Sequence, residues 1–385
     1  MPALLDSSAQ PVVPARPARF AMLAAGAAAS MLLAACAGSA PAETAPAPAS
    51  PSGVVTNTSA PWPVKTREHL DLWLHGFAML QQDTTRIPLF RRGYRDGMVV
   101  EKNRRGITTL LDQNRDKLTP RFAANRNLAG AQFVALYFGT WEELQRAITL
   151  FLEANGDPGR ARDPQQQAVI AFLAGSFNTP ADRQWLSLFA QSLADEQTKF
   201  YHQYWTDEQR RRGPVLAAVD SLWQTVHRPK LQTYLARTQQ QTGDFILSLP
   251  LDGEGRTISG GKRENIVALA YPDTPGQAIE AVYVFTHEVL GALAATAISD
   301  NITPNERREG LADKMASAAA VRGGAMLLQR VAPVLADGYA RYYLRAAGLS
   351  STASDAQAAL ATAFPLDARV RDAINRQLDA VLAGI

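Results

Sequence analysis

The stretch Phe285-Thr286-His287-Glu288-Val289-Leu290-Gly291 sets an imidazole beside a carboxylate in the middle of an apolar run. An imidazole ligates metals and moves protons near neutral pH, and a carboxylate exchanges protons with bound groups. With five histidines in the chain, a His-Glu neighbour pair is roughly a one-in-four accident at ordinary glutamate usage. The pair therefore takes its meaning from the elements around it. The other histidines, His69, His75, His202 and His227, fall among helical patterns with no paired spacing. The second residue of interest is Cys36, the only cysteine. A lone thiol makes no intramolecular disulfide, so its use lies elsewhere. No Gly-rich phosphate loop, nucleophile elbow or paired-cysteine site is present.

The elements that must carry the pair are readable from periodicity. Phe245 to Leu249 is a short apolar run, Gly253-Glu254-Gly255 a turn, and Asn265 to Tyr271 a second apolar run. They predict a small sheet between about 243 and 271, and after Pro272 and Pro275 a helix from about Gln277 to Ile298 holds His287 in mid-course. Further helices are expected over Thr303–Leu328, Val331–Leu344 and Leu366–Leu382. The first half reads helical throughout. Thr66 opens a segment with Leu70, Trp73, Leu74, Phe77 and Leu80 at helical spacing, and Thr140-x-x-Glu143 is a capping box before Leu144, Ile148 and Leu152. Thr179-Pro180 starts a long helix that Gly213-Pro214 should stop, with another from Pro214 towards His227. The fold class expected is mainly α: a helical bundle plus a small sheet preceding the His-Glu helix.

That sheet-then-helix order resembles the zincin metallopeptidases, whose active-site helix carries H-E-x-x-H. The resemblance covers roughly residues 243 to 330. It implies a zinc-dependent peptidase in which His287 is the first metal ligand and Glu288 the general base. It also implies a third ligand on a later helix, as in the gluzincin branch, where Glu306 or Glu309 would stand. Gly291 occupies the second histidine's place, and glycine has no side-chain group to offer a metal. If the site is lost, His287 and Glu288 become a buried polar pair needing partners, with Arg322, Tyr339 and Tyr342 as candidates.

The start of the chain has its own pattern. Arg16 and Arg19 precede an apolar run, Phe20 to Leu33, of about 14 residues, too short for the roughly 20 that a spanning helix needs. Leu33-Ala34-Ala35-Cys36 resembles the lipobox of bacterial lipoproteins, which implies cleavage before Cys36 and acylation of that residue. Ala37, where an aspartate would signal retention, implies the outer membrane, so residues 1–35 are expected to be a signal peptide and the folded part to sit in the periplasm. Residues 36–63, rich in Pro, Ala, Ser and Thr, cannot bury enough surface to offset their ordering entropy and read as a tether. The net charge of +3, or about +2 after removal of residues 1–35, gives no electrostatic case for nucleic acid.

Two functions from different classes follow. One is a membrane-tethered lipoprotein with a zincin-like, degenerate or working, metallopeptidase domain and a peptide or protein substrate. The other is a non-catalytic helical scaffold or binding lipoprotein of the cell envelope. The expected organisation is a signal at 1–35, a tether at 36–63, a helical region at 64–242 and a sheet-plus-helix region at 243–385.

Overall fold

The computed structural model describes residues 61–81, 87–259, 265–350, 352 and 354–384. Cys36, the leader and all but the end of the tether lie outside the described residues. The chain enters at β1 (Val64–Lys65) and continues into α1 (Glu68–Leu80), α2 (Tyr94–Arg105), α3 (Leu110–Ala124), α4 (Arg126–Gly130), α5 (Trp141–Glu153), α6 (Pro164–Ser176) and α7 (Pro180–Glu196). Next come α8 (His202–Leu222) and α9 (Arg228–Arg237), then β2 (Gly243–Ser248), β3 (Arg256–Ser259) and β4 (Asn265–Ala270). The C-terminal part is α10 (Ala278–Asn301), α11 (Pro304–Arg308), α12 (Leu311–Val331), α13 (Pro333–Ala346), α14 (Ala356–Ala363) and α15 (Ala368–Ala383). The protein is mainly α with one small mixed sheet, as the sequence pattern predicts.

The sheet runs in the order β1-β2-β4-β3. β1 and β2 are parallel, β2 and β4 are parallel, and β3 returns antiparallel along the outer edge of β4. The turn at Gly253 therefore does not join β2 to β4; the chain passes through edge strand β3 first. A β2–β4 pair buried on both faces explains the continuous apolar runs that mark these strands in the sequence. Alternation sorts the side chains: Phe245, Leu247, Val267 and Leu269 face the core built with α8 to α15, whereas Ile246, Ala268 and Leu251 face the core of α1 to α7. The result is a sheet between two helical layers.

Two sequence expectations need correction. Gly213-Pro214 does not stop a helix; Pro214 lies inside α8. Gly213 has no Cβ to clash with the proline ring, which relaxes the usual bar on helical conformation before proline. The rod from Pro180 to Arg237 instead adjusts through π-helical turns at Gln197–Tyr201 and Trp223–His227. The expected boundary at 242 is not a packing boundary either, because Val215, Val219, Trp223, Leu231 and Leu235 belong to the C-terminal core.

At the point of entry Trp62 is fully buried, with φ of 108°. Its indole donates to the Gln240 carbonyl at 3.0 Å, and its own carbonyl accepts from the Trp223 indole at 3.0 Å and from Gln224 at 2.8 Å. α10 is apolar enough along its length to pass for a membrane span, yet two thirds of that stretch is buried between the sheet and the C-terminal helices.

Candidate functional site: the hairpin and the His-Glu helix

α10 starts after Tyr271-Pro272 leave the end of β4, and its mid-course falls against the β3–β4 hairpin. Two turns into it, His287 is 3% exposed and stacks on Tyr343 of α13, with ring centroids 5.3 Å apart. Its Nδ1 lies 3.1 Å from Glu288 Oε1. A carboxylate accepts only, so Nδ1 carries the proton. The opposite nitrogen, Nε2, is buried with no hydrogen-bond partner among the described residues.

Glu288 is more heavily engaged. The Gly255 amide donates to Oε1 at 3.0 Å and the Thr257 hydroxyl to Oε2 at 3.2 Å. The close approach requires glycine at 255: a Cβ there would meet the Ala268 carbonyl oxygen at 2.6 Å and Glu288 Cγ at 3.0 Å. Glu254, one residue earlier, completes a trio with His287 and Glu288 whose donor atoms lie within 4.8 Å of one another. Its loop is held from below. Asp252 and Glu254 amides donate to the Leu89 and Pro88 carbonyls at 2.8 and 3.0 Å, and the Arg91 amide to Pro250 at 2.9 Å.

Burial of the imidazole works against its charge, but the hydrogen bond to Glu288 and the charges of Glu254 and Glu288 outweigh it. The His287 pKa stands above its ordinary value.

Gly291, in the second histidine's place, faces open space, with no atom within 4 Å of where a Cβ would sit. Glu306 does not approach His287: its carboxylate caps Thr303 and pairs with Arg369 at 2.8 Å, because the left-handed Gly310 breaks the expected long helix and leaves α11 on the surface. Glu309 is the exposed C-cap of α11. The partners foreseen for the pair also differ. Tyr339 donates to the Val321 carbonyl at 3.0 Å and Arg322 reaches Phe364, while Tyr343 supplies the stacking face. No other histidine joins the trio. His69 meets the Phe138 carbonyl, His202 meets Glu68, and His75 meets Glu196 and Tyr94.

A hydrolytic zincin centre does not fit this arrangement. It needs two imidazoles from one helix face, and the second position is Gly291; it also needs a carboxylate free for water, and both oxygens of Glu288 are held by the hairpin and His287. Glu254 escapes sequence reasoning because a loop residue flanked by glycines carries no periodic signal.

A second polar centre is buried among the N-terminal helices. Lys102 Nζ lies 2.9 Å from Glu196 and 2.6 Å from Asp112, and the Thr109 hydroxyl also donates to Glu196. Burial pushes the Glu196 pKa up, but His75, Lys102 and Thr109 together hold it at about 2. Nearby, Asp71 accepts from Ser248 at 2.6 Å and from the Trp205 indole at 2.9 Å. Full burial nevertheless pushes its pKa up to about 7.

Compared with known protein families, with curated proteins and with solved structures, the chain matches none.

Proposed function

We propose that this protein is an envelope lipoprotein, acylated at Cys36 and carried on the tether at 36–63, whose folded part binds rather than cuts. In this reading the zincin-like hairpin and helix persist as a frame. The observation that carries it is the state of Glu288, whose carboxylate fastens edge strand β3 to α10 through Gly255 and Thr257. A group so employed is a strut, not a base waiting for water. The test uses the full-length chain purified in detergent, loaded with zinc and desalted. The expected result is less than about 0.1 zinc per chain and no cleavage of a mixed peptide library. The anchor is tested separately: Cys36→Ala should move the protein from the membrane fraction to the soluble one and abolish labelling by a clickable palmitate analogue.

One observation favours a second reading. The orphaned His287 Nε2 beside two carboxylates is a donor set for a divalent cation, zinc included. Close to one zinc per chain, lost in His287→Ala and in Glu254→Gln, would establish that reading and overturn the first.

A further inference from the structure

Apart from the His287 trio, and sharing none of its residues, a cavity of about 370 Å³ opens at the carboxyl end of β4. Crevices at that end of parallel strands are the usual place for ligands in such sheets, and the volume is that of a small-molecule site. Its walls come from the loop before α2, the loop after β2, the start of α10 and the end of α13.

The charges in it are sorted by depth. Asp252 is half-buried and makes no ion pair among the described residues. Glu280 has 23% of its side chain exposed and gives one oxygen to Arg345 at 2.7 Å, while the other accepts no hydrogen bond among the described residues. Tyr342, buried between α13 and the cavity, feels the charge of both acids. The third acid of the wall, Asp273, is already neutralised by Arg91 at 2.7 Å and Arg212 at 2.9 Å. The guanidinium groups of Arg92 and Arg345 stand further out; Arg345 is 55% exposed and Arg92 is exposed. Arg345 uses one of its five donors on Glu280, which leaves the rest of its fork for an anion.

We propose that this cavity binds a small zwitterion of the amino-acid or short-peptide type, its ammonium group between Asp252 and Glu280 and its carboxylate on the Arg345 and Arg92 guanidinium groups. The inner acids supply what the ligand's cation needs, and the outer arginines what its anion needs. The proposal stands whether or not the His287 trio takes a metal.

Calorimetric titration of the full-length chain in detergent tests it with three probes: alanyl-alanine, N-acetyl-alanyl-alanine and alanyl-alaninamide. The dipeptide should bind with a Kd below about 1 mM, and each blocked form at least about tenfold more weakly. Asp252→Asn should weaken dipeptide binding by about tenfold at an unchanged circular dichroism spectrum. Arg345→Gln, at an exposed position, should do the same, and it serves alone if the Asp252 variant fails to fold. No binding of the dipeptide at about 10 mM, equal binding of the blocked forms, or unaltered affinity in the folded variants would overturn the proposal. These readouts involve neither zinc nor proteolysis, so their failure is distinct from failure of the binding-lipoprotein reading.

Discussion

At the scale of single residues, the hairpin depends on one carboxylate and one missing Cβ. Gly255→Ala would press a methyl against the Ala268 carbonyl and Glu288. We expect a loss of about 1–3 kcal/mol in chemical denaturation, the usual cost of overpacking. Glu288→Gln replaces the carboxylate by a neutral amide and so removes the nearby charge and the charge-assisted hydrogen bond that raise the His287 pKa, and burial then prevails. The imidazole should titrate at lower pH in the variant, as followed by NMR of its ring protons. The sign for stability follows from the raised value: the contribution of His287 is complete below the unfolded value near 6.5 and is lost as pH rises through the folded one. That loss should disappear in Glu288→Gln. His287 and Glu288 were legible in the sequence because they interrupt an apolar helical run. Glu254 was not, since its arrival depends on three backbone hydrogen bonds between its loop and residues 88–91, pairings that leave no trace in local composition.

Among elements, α10 was legible as a long apolar helical run, the β2 and β4 strands as short continuous apolar runs on either side of a turn, and the N-terminal helices because Thr140 and Thr179 cap them as their spacing announces. β1 was not, since two residues carry no period and pairing with β2 alone makes them a strand. α14 was hidden for a similar reason: its eight residues are mostly alanine, without an apolar stripe. On α10 the open space at Gly291 leads to an expectation of its own. Residues four apart share a helical face, so Gly291→His should be accommodated within about 1 kcal/mol and should raise zinc loading well above that of the unaltered chain, measured by mass spectrometry. Failure to bind zinc would mean that α10 does not present positions 287 and 291 to a common point. α2 and α7 are joined by the buried Lys102–Glu196 ion pair. Lys102→Met would leave Glu196 buried with half of its charge partners gone, and should cost about 3–5 kcal/mol in denaturation.

For the molecule as a whole, buried acids set the pH at which it is most stable. Glu196, held at about 2, contributes stability that is present above its ordinary range and lost as pH falls from about 4.5 towards 2. Asp71, raised to about 7, acts in the other direction: its contribution is full below pH 4 and lost as pH climbs to about 7. The maximum should therefore lie between about pH 4 and 4.5, with about 4 kcal/mol lost by pH 8 on account of Asp71. Asp71→Asn should flatten that decline in a series of denaturation curves. The sequence showed both helical layers but not that the sheet would seal them apart, nor that Asp71 would be caught at the seam beneath Ser248. Finally, Trp62 bears on how the protein answers to load. On the anchored reading proposed above, tension arriving from the N-terminal side meets that indole before it reaches β1, the first strand among the described residues. The ring and the three hydrogen bonds of Trp62 must give way together, and only then can β1 peel from β2 and open the sheet edge. On the proposed anchoring Trp62 would act as a mechanical latch, and a Trp62→Ala chain pulled from its N-terminal side should yield at lower force.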